Sequence, residues 1–167
     1  NFLIFDYDTD KGLLSKITTS KNLSMEFVYY SEKDSDNGKN KPDIFTVKEI
    51  KLPDGSKMSY QYKDARLSEV TKTGTDMSLS IHWYMEYNDS QKLSQLTDAC
   101  GNPYQISYND GKASKITYPN GEAISLEYDI ENNQTTTYKE VTENGKTAKI
   151  LLETNTFDTT SGNSINM

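Results

Sequence analysis

The stretch Tyr104-Gln105-Ile106-Ser107-Tyr108-Asn109-Asp110-Gly111-Lys112-Ala113-Ser114-Lys115-Ile116-Thr117-Tyr118-Pro119-Asn120-Gly121 decides the fold. Tyr104, Ile106 and Tyr108 alternate with Gln105 and Ser107, the period-two pattern of a strand with one apolar and one polar face. Asn109-Asp110-Gly111 reads as a turn, because Asn and Asp side chains bond the local backbone and Gly accepts positive φ. Ala113 to Thr117 reads as a second strand, and Pro119-Asn120-Gly121 as the turn that closes the unit.

The same alternation ends at Tyr128 (Ile124, Leu126), Tyr87 (Leu79, Ile81, Trp83, Met85), Tyr62 (Met58, Tyr60), Tyr29 (Leu23, Met25, Phe27) and Tyr7 (Leu3, Phe5). Six strands thus close on a tyrosine, with anchor spacings of 22, 33, 25, 21 and 20 residues. Shorter strands follow at Leu14–Ile17, Leu67–Val70, Leu93–Leu96 and Ala113–Ile116. Their two apolar residues are three apart, on opposite faces of an ideal strand, so the first is predicted to sit in the turn or at a bulge. Gly55, Gly101, Gly111 and Gly121 are the expected turn glycines. The long spacing contains Glu32 to Asp43, read as a surface loop (about residues 31–43) inserted between repeats. Residues 1–129 form the repeat region, and residues 130–167 a degenerate continuation. There, Asn133 to Tyr138 and Lys146 to Glu153 are expected as strands around Asn144-Gly145. Phe157 to Asn163 reads as one more degenerate anchor and turn.

Composition narrows the function. The 167 residues carry 18 Lys plus Arg against 25 Asp plus Glu, a net charge of −7, with 34 % hydrophobic residues. That balance disfavours a nucleic-acid binder that works through positive charge. No apolar run is long enough for a membrane-spanning helix, and one cysteine, Cys100, cannot make an internal disulfide. Hydrophobe-poor acidic chains border on disorder, but those are poor in aromatics, and this one has 12 Tyr. The start at Asn1, with no initiator Met and no signal-type segment, gives the expectation of a piece cut from a longer protein.

The pattern Tyr-(Asp/Asn)-x-x-(Gly)-x-Leu-x-x-Ile-Thr-x-Pro-(Asn/Asp)-Gly, best copied from Tyr108 to Asp129, resembles the RHS or YD-repeat family. The resemblance covers residues 3 to 129, with Tyr7-Asp8 and Tyr128-Asp129 as literal Tyr-Asp pairs. It implies an all-β fold of tandem antiparallel hairpins forming a curved, open sheet, an arc of the hollow shell that long members build around a C-terminal toxin domain. It further implies a non-catalytic segment of a large exported bacterial protein, secreted or associated with the wall. The partners it implies are the remainder of the same polypeptide, with carbohydrate or cell wall as a further candidate. About six repeats leave open edges, which invite an edge-to-edge dimer.

Chemistry-bearing residues are few. His82 and Cys100 are each single, and a hydrolase built on that pair is the enzyme-class alternative. His82 alternates with Ile81 and Trp83, which directs it to the polar face, and Cys100 occupies a turn slot. Asp6-Tyr7-Asp8-Thr9-Asp10-Lys11-Gly12 opens like a calcium loop, but Lys11 and Ile17 stand where Gly and a bidentate Glu are needed. Asp34-Ser35-Asp36-Asn37-Gly38 reads as an acidic loop, so no metal and no cofactor are expected. The anchors Tyr7, Tyr29, Tyr62, Tyr87, Tyr108 and Tyr128 are expected to fill a buried face, their hydroxyls reaching water or backbone. Truncating such a buried ring would cost about 3–5 kcal/mol. Tyr84 and Tyr118 lie off the anchor register and, with Tyr30, are expected to be the exposed ones. Tyr84 and Tyr118 are the candidates for stacking on a carbohydrate.

Overall fold

The structure, a computed structural model, describes residues 1–34, 45–76, 79–143, 145–157 and 164–165. The chain divides into two compact units, residues 1–85 with 98–101 and residues 86–97 with 102–167. The first carries β1 (Leu3–Asp8), β2 (Leu13–Thr19), β3 (Ser24–Tyr29), β4 (Val47–Lys51), β5 (Lys57–Lys63), β6 (Arg66–Thr73) and most of β7 (Ser80–Tyr87). The second carries β8 (Leu93–Thr97), β9 (Pro103–Asn109), β10 (Lys112–Thr117), β11 (Ala123–Asp129), β12 (Gln134–Glu143), β13 (Lys146–Phe157) and β14 (Ser164–Ile165). Within each unit every strand pairs antiparallel with its neighbour in sequence. The fold is all-β, and the sheet is open. Among the described residues no helix is long and apolar enough to cross a membrane.

The three-residue spacing of apolar side chains is resolved by a bulge. In β1–β2, Tyr7 faces Leu14 while Asp6 faces Lys16, so Ser15 is the extra residue and Ile17 falls opposite Phe5. In β5–β6, Tyr62 faces Leu67 and Tyr60 faces Val70, with Ser68 extra. In β9–β10, Tyr108 faces Ala113 and Ile106 faces Ile116, with Ser114 extra. One inserted residue flips the phase of a period-two strand, so both apolar residues reach the face that carries the anchor. Serine is small and polar, and suits the position that the ladder leaves over.

The inserted loop lies inside a hairpin, not between repeats as the sequence suggests. Tyr29 faces Val47 and Phe27 faces Ile50, with Lys48 as the extra residue. Val47–Ile50 is therefore the missing second strand of the Tyr29 repeat. Residues 35–38 of the expected acidic loop lie outside the described residues. The base of the loop is closed by the Tyr30 and Phe45 amides, which donate to the carbonyls of Thr46 (2.8 Å) and Tyr30 (3.2 Å). At the far end, β12 and β13 extend well beyond the predicted strands, meeting at Glu143 opposite Lys146. Asn144 and residues 158–163 of the degenerate anchor lie outside the described residues.

The second type of turn is nearly invariant. Leu52 and Tyr118 each donate to the carbonyl four residues on (2.8 Å), and Gly55 and Gly121 donate back to them at 3.0 and 2.9 Å. This is a type I turn followed by a left-handed residue, and φ is +84° at Gly121. Asn22 holds the same left-handed position in the 19–23 turn, and Gln91 holds it in the 88–92 turn, which follows the anchor Tyr87.

Packing is thinner than the sequence reading expects. Ala123 is the only buried apolar residue among those described, and no large side chain is fully buried. The anchor face is half-exposed because each unit is a single layer. Tyr7 is 58 % exposed and Tyr128 38 %, while Tyr29, Tyr62, Tyr87 and Tyr108 are half-buried. Beside Ala123 lies buried Ser125, whose Oγ has no hydrogen-bond partner. Ser125→Ala removes an unpaired buried hydroxyl, so urea unfolding should show the variant more stable by about 1 kcal/mol.

Candidate functional site

Four of the six anchors act as clamps between consecutive hairpins. The Tyr29 hydroxyl donates to the Leu14 carbonyl at 2.8 Å, Tyr62 to Val47 at 3.1 Å, Tyr108 to Leu93 at 2.8 Å and Tyr128 to Ala113 at 2.8 Å. Every one of these bonds spans 15 residues. In the Leu14, Val47 and Ala113 strands the accepting residue is the one just before the bulge. A bulge interrupts the ladder, and a backbone carbonyl beside it still needs a donor. The next tyrosine supplies it.

A second contact repeats with the first. Lys92 Nζ stands 5.2 Å over the Tyr108 ring and Lys112 Nζ 5.0 Å over the Tyr128 ring. Each lysine immediately precedes the residue whose carbonyl takes the hydroxyl. One short segment thus grips both the tip and the face of the following anchor. Lys92 also donates to the Gly111 carbonyl.

The polar face carries one compact cluster, on β6 and β7. Glu69 faces Tyr84 and Thr71 faces His82 across the strand pair. His82 Nδ1 donates to Glu69 Oε1 at 2.6 Å, and the Thr71 hydroxyl donates to the same oxygen at 3.1 Å. The Tyr84 ring lies parallel to the imidazole, 7° between planes and 5.9 Å between centroids. Tyr84 is 44 % exposed, so the cluster is a flat aromatic plate beside an oriented carboxylate.

Of the three tyrosines expected to be exposed, only Tyr84 is. The Tyr30 hydroxyl donates to the Tyr60 carbonyl at 2.9 Å, and its ring meets Tyr62 edge-on at 5.9 Å. Burial pushes the Tyr30 phenol pKa up. Tyr118 meets Tyr104 edge-on at 5.7 Å and is half-buried. Both residues follow a strand closely enough to fold back on the anchor face, which their position in the sequence does not disclose.

The remaining candidates are engaged in local structure. Cys100 is exposed in the 98–101 turn, and its amide donates to Asp98 Oδ1 at 2.8 Å. The hydrogen bonds of His82 go to Glu69 and Thr71. Asp8 of the calcium-like segment accepts from the Asp10 and Lys11 amides at 3.1 and 3.2 Å and pairs with Lys11 at 3.3 Å. Its carboxylate builds the turn. Among the described residues no group of three or more His, Cys, Asp or Glu could hold a metal.

Asp34 pins the base of the inserted loop. Its carboxylate pairs with Lys48 and accepts from the Ser31 hydroxyl at 2.7 Å and amide at 2.9 Å. The Lys48 hydrogen bond, with Ser31 second, holds its pKa at about 2 instead of 3.8. A depressed carboxylate contributes its stabilisation in full above the unfolded value of 3.8, and loses it as pH falls through about 2. An NMR titration should therefore find the Asp34 midpoint at about 2, and Lys48→Met should move it back upward.

Neither a family model nor a curated protein matches the chain. Solved structures do. TcdB2-TccC3 without its hypervariable C-terminal region matches 92 % of this chain with a TM-score of 0.51 at 13 % identity. A Tc holotoxin pore from Photorhabdus luminescens carrying a TccC3 mutation aligns over 98 % of the chain, with a TM-score of 0.37 at 9 % identity. The chain spans only 8 % and 11 % of the length of these two. The likeness to TcdB2-TccC3 is one of fold: an open run of antiparallel hairpins.

Proposed function

We propose that this chain is a non-catalytic structural segment of a large exported bacterial protein of the RHS/YD-repeat kind. Its hairpins form part of a shell or scaffold used in toxin encapsulation and delivery or in contact with a cell surface. The carrying observation is the clamp made four times over, a tyrosine hydroxyl on the backbone carbonyl fifteen residues earlier, which stands just before a bulge in three of the four. It is a device for adding hairpins in a row, and repeat arrays gain their stability from such nearest-neighbour joints. The fold shared with a stretch of TcdB2-TccC3 supports the same reading. Electron microscopy of the full polypeptide that contains this chain is the test. A hollow particle with these hairpins in its wall is expected, and a string of separate globular domains would overturn the reading.

A second reading rests on the Tyr84–His82 plate beside Glu69. An exposed aromatic face stacks on the apolar face of a sugar ring, and a neighbouring carboxylate accepts from its hydroxyls. Tyr84 is open enough for this, whereas Tyr118 is half-buried against Tyr104. Tyr84→Ala should then abolish binding to a glycan array without changing the far-UV spectrum. An unmodified chain that binds no glycan ends this reading.

A further inference from the structure

Beside the base of the inserted loop, within the first unit, lies a cavity of about 650 Å³. Its walls are largely aromatic, from Phe27, Tyr29, Tyr30 and Phe45, and Asp8, Lys11 and Glu32 border it. We propose that this cavity binds an organic cation of the quaternary ammonium class, a trimethylammonium headgroup of the choline type. The proposal is independent of the scaffold reading.

Phe45 is the first indication. Its φ is +80°, in the left-handed region that bulky side chains almost never occupy. The Tyr30 carbonyl, 3.2 Å from the Phe45 amide, holds it there, and the residue is 47 % exposed. Glycine would take this backbone without strain. Strain of this sort collects at ligand clamps, and here it keeps a large aromatic residue at the edge of a cavity.

The polar groups around the cavity select the ligand, because nearly all of them are engaged. The Tyr29 and Tyr30 hydroxyls donate to the Leu14 and Tyr60 carbonyls, and the Ser31 hydroxyl donates to Asp34. Asp8 accepts from the Asp10 and Lys11 amides. A sugar, recognised through its own hydroxyls, would find few free partners. The charges are matched as well, Asp8 by Lys11 and Asp34 by Lys48. Glu32 differs: it is exposed, and its carboxylate has no partner among the described residues. Aromatic surface and one unmatched negative charge remain. A quaternary ammonium has no hydrogen bond to offer, carries its charge under a skin of methyl groups, and is attracted to the faces of aromatic rings. Lys48 Nζ already stands 5.6 Å from the centre of the Tyr30 ring, so Phe27, Tyr29 and Phe45 are the walls left to receive the ligand. The volume lies within the usual range for small-ligand sites.

The test titrates the full chain with choline and with the neutral alcohol in which a tert-butyl group replaces trimethylammonium, followed by NMR. Choline is expected to shift the Phe27, Tyr29 and Phe45 resonances and to bind roughly tenfold more tightly than its isostere. Phe45→Gly should weaken choline binding by roughly the same factor, while the melting temperature stays level or rises because glycine relieves the positive φ. Glu32→Gln, a change at an exposed position, should weaken choline binding and leave that of the isostere unaltered. Equal affinity for the two ligands, no shift with choline, or choline shifts centred on Tyr84 would each overturn the proposal. So would Phe45→Gly and Glu32→Gln chains that bind choline as the parent does. None of these outcomes bears on whether the full polypeptide is hollow.

Discussion

Tyr108→Ala should destabilise the second unit by about 3 kcal/mol, at the low end of the range for truncating a large aromatic because the ring is half-exposed. Three contributions combine. The hydroxyl bond to the Leu93 carbonyl at 2.8 Å adds about 1 kcal/mol and leaves an unpaired acceptor when removed. The Lys92 ammonium over the ring adds about 0.5–1 kcal/mol. The remainder is contact of the ring with its cross-strand partner Ala113 and its same-face neighbour Ile106. Tyr108→Phe isolates the first contribution and should cost about 1 kcal/mol in urea unfolding. A Phe variant as stable as the parent would mean that the clamp orients the ring without stabilising the joint.

Ile116→Pro should have the largest effect, abolishing ordered structure around β10. Ile116 is paired on both sides, with Ile106 of β9 and Ile124 of β11. Proline there removes a ladder donor and forces its ring into a strand that has no free edge, a cost of roughly 3 kcal/mol or more. The damage should stay local, because hairpins in a row depend mainly on their neighbours. Trp83, the one tryptophan, lies in the first unit. Its fluorescence should therefore keep its unfolding midpoint while the far-UV signal loses a large part of its amplitude. Simultaneous loss of both signals would show that the two units unfold as one.

The strand pattern was legible because it rests on local alternation. Tyr108 and its five counterparts stand at or within one residue of the end of a strand, and residues two apart share a face whatever surrounds them. The bulge was legible too, since Leu14 and Ile17 cannot share a face without one. The β4 strand was readable in principle, because Val47 and Ile50 repeat that spacing, but the loop ahead of it hid the kinship. The hydroxyl clamps were not readable. They depend on which carbonyl the bulge turns toward the next strand, a matter of register between segments fifteen residues apart. For the same reason the Glu69–His82 bond stayed hidden: the two residues become neighbours only when β6 and β7 pair. Tyr30 and Tyr118 show the opposite failure, since position relative to an anchor says nothing about a ring folding back over it.

The constant fifteen-residue span has a consequence for how this chain can change in length. From the accepting residue to the next anchor, the distance is the same in all four clamps, whereas from anchor to pre-bulge residue it runs from Tyr62–Leu67 to Tyr29–Val47. At the clamped joints, differences in length therefore fall in the loops that follow an anchor; from Leu67 to Tyr87 the added length falls instead in the connection between Thr73 and Ser80. The connections spanned by the four clamps are evenly ruled. Variation in length between versions of such a molecule should accumulate in the loops after the anchors more than in the connections that the clamps span.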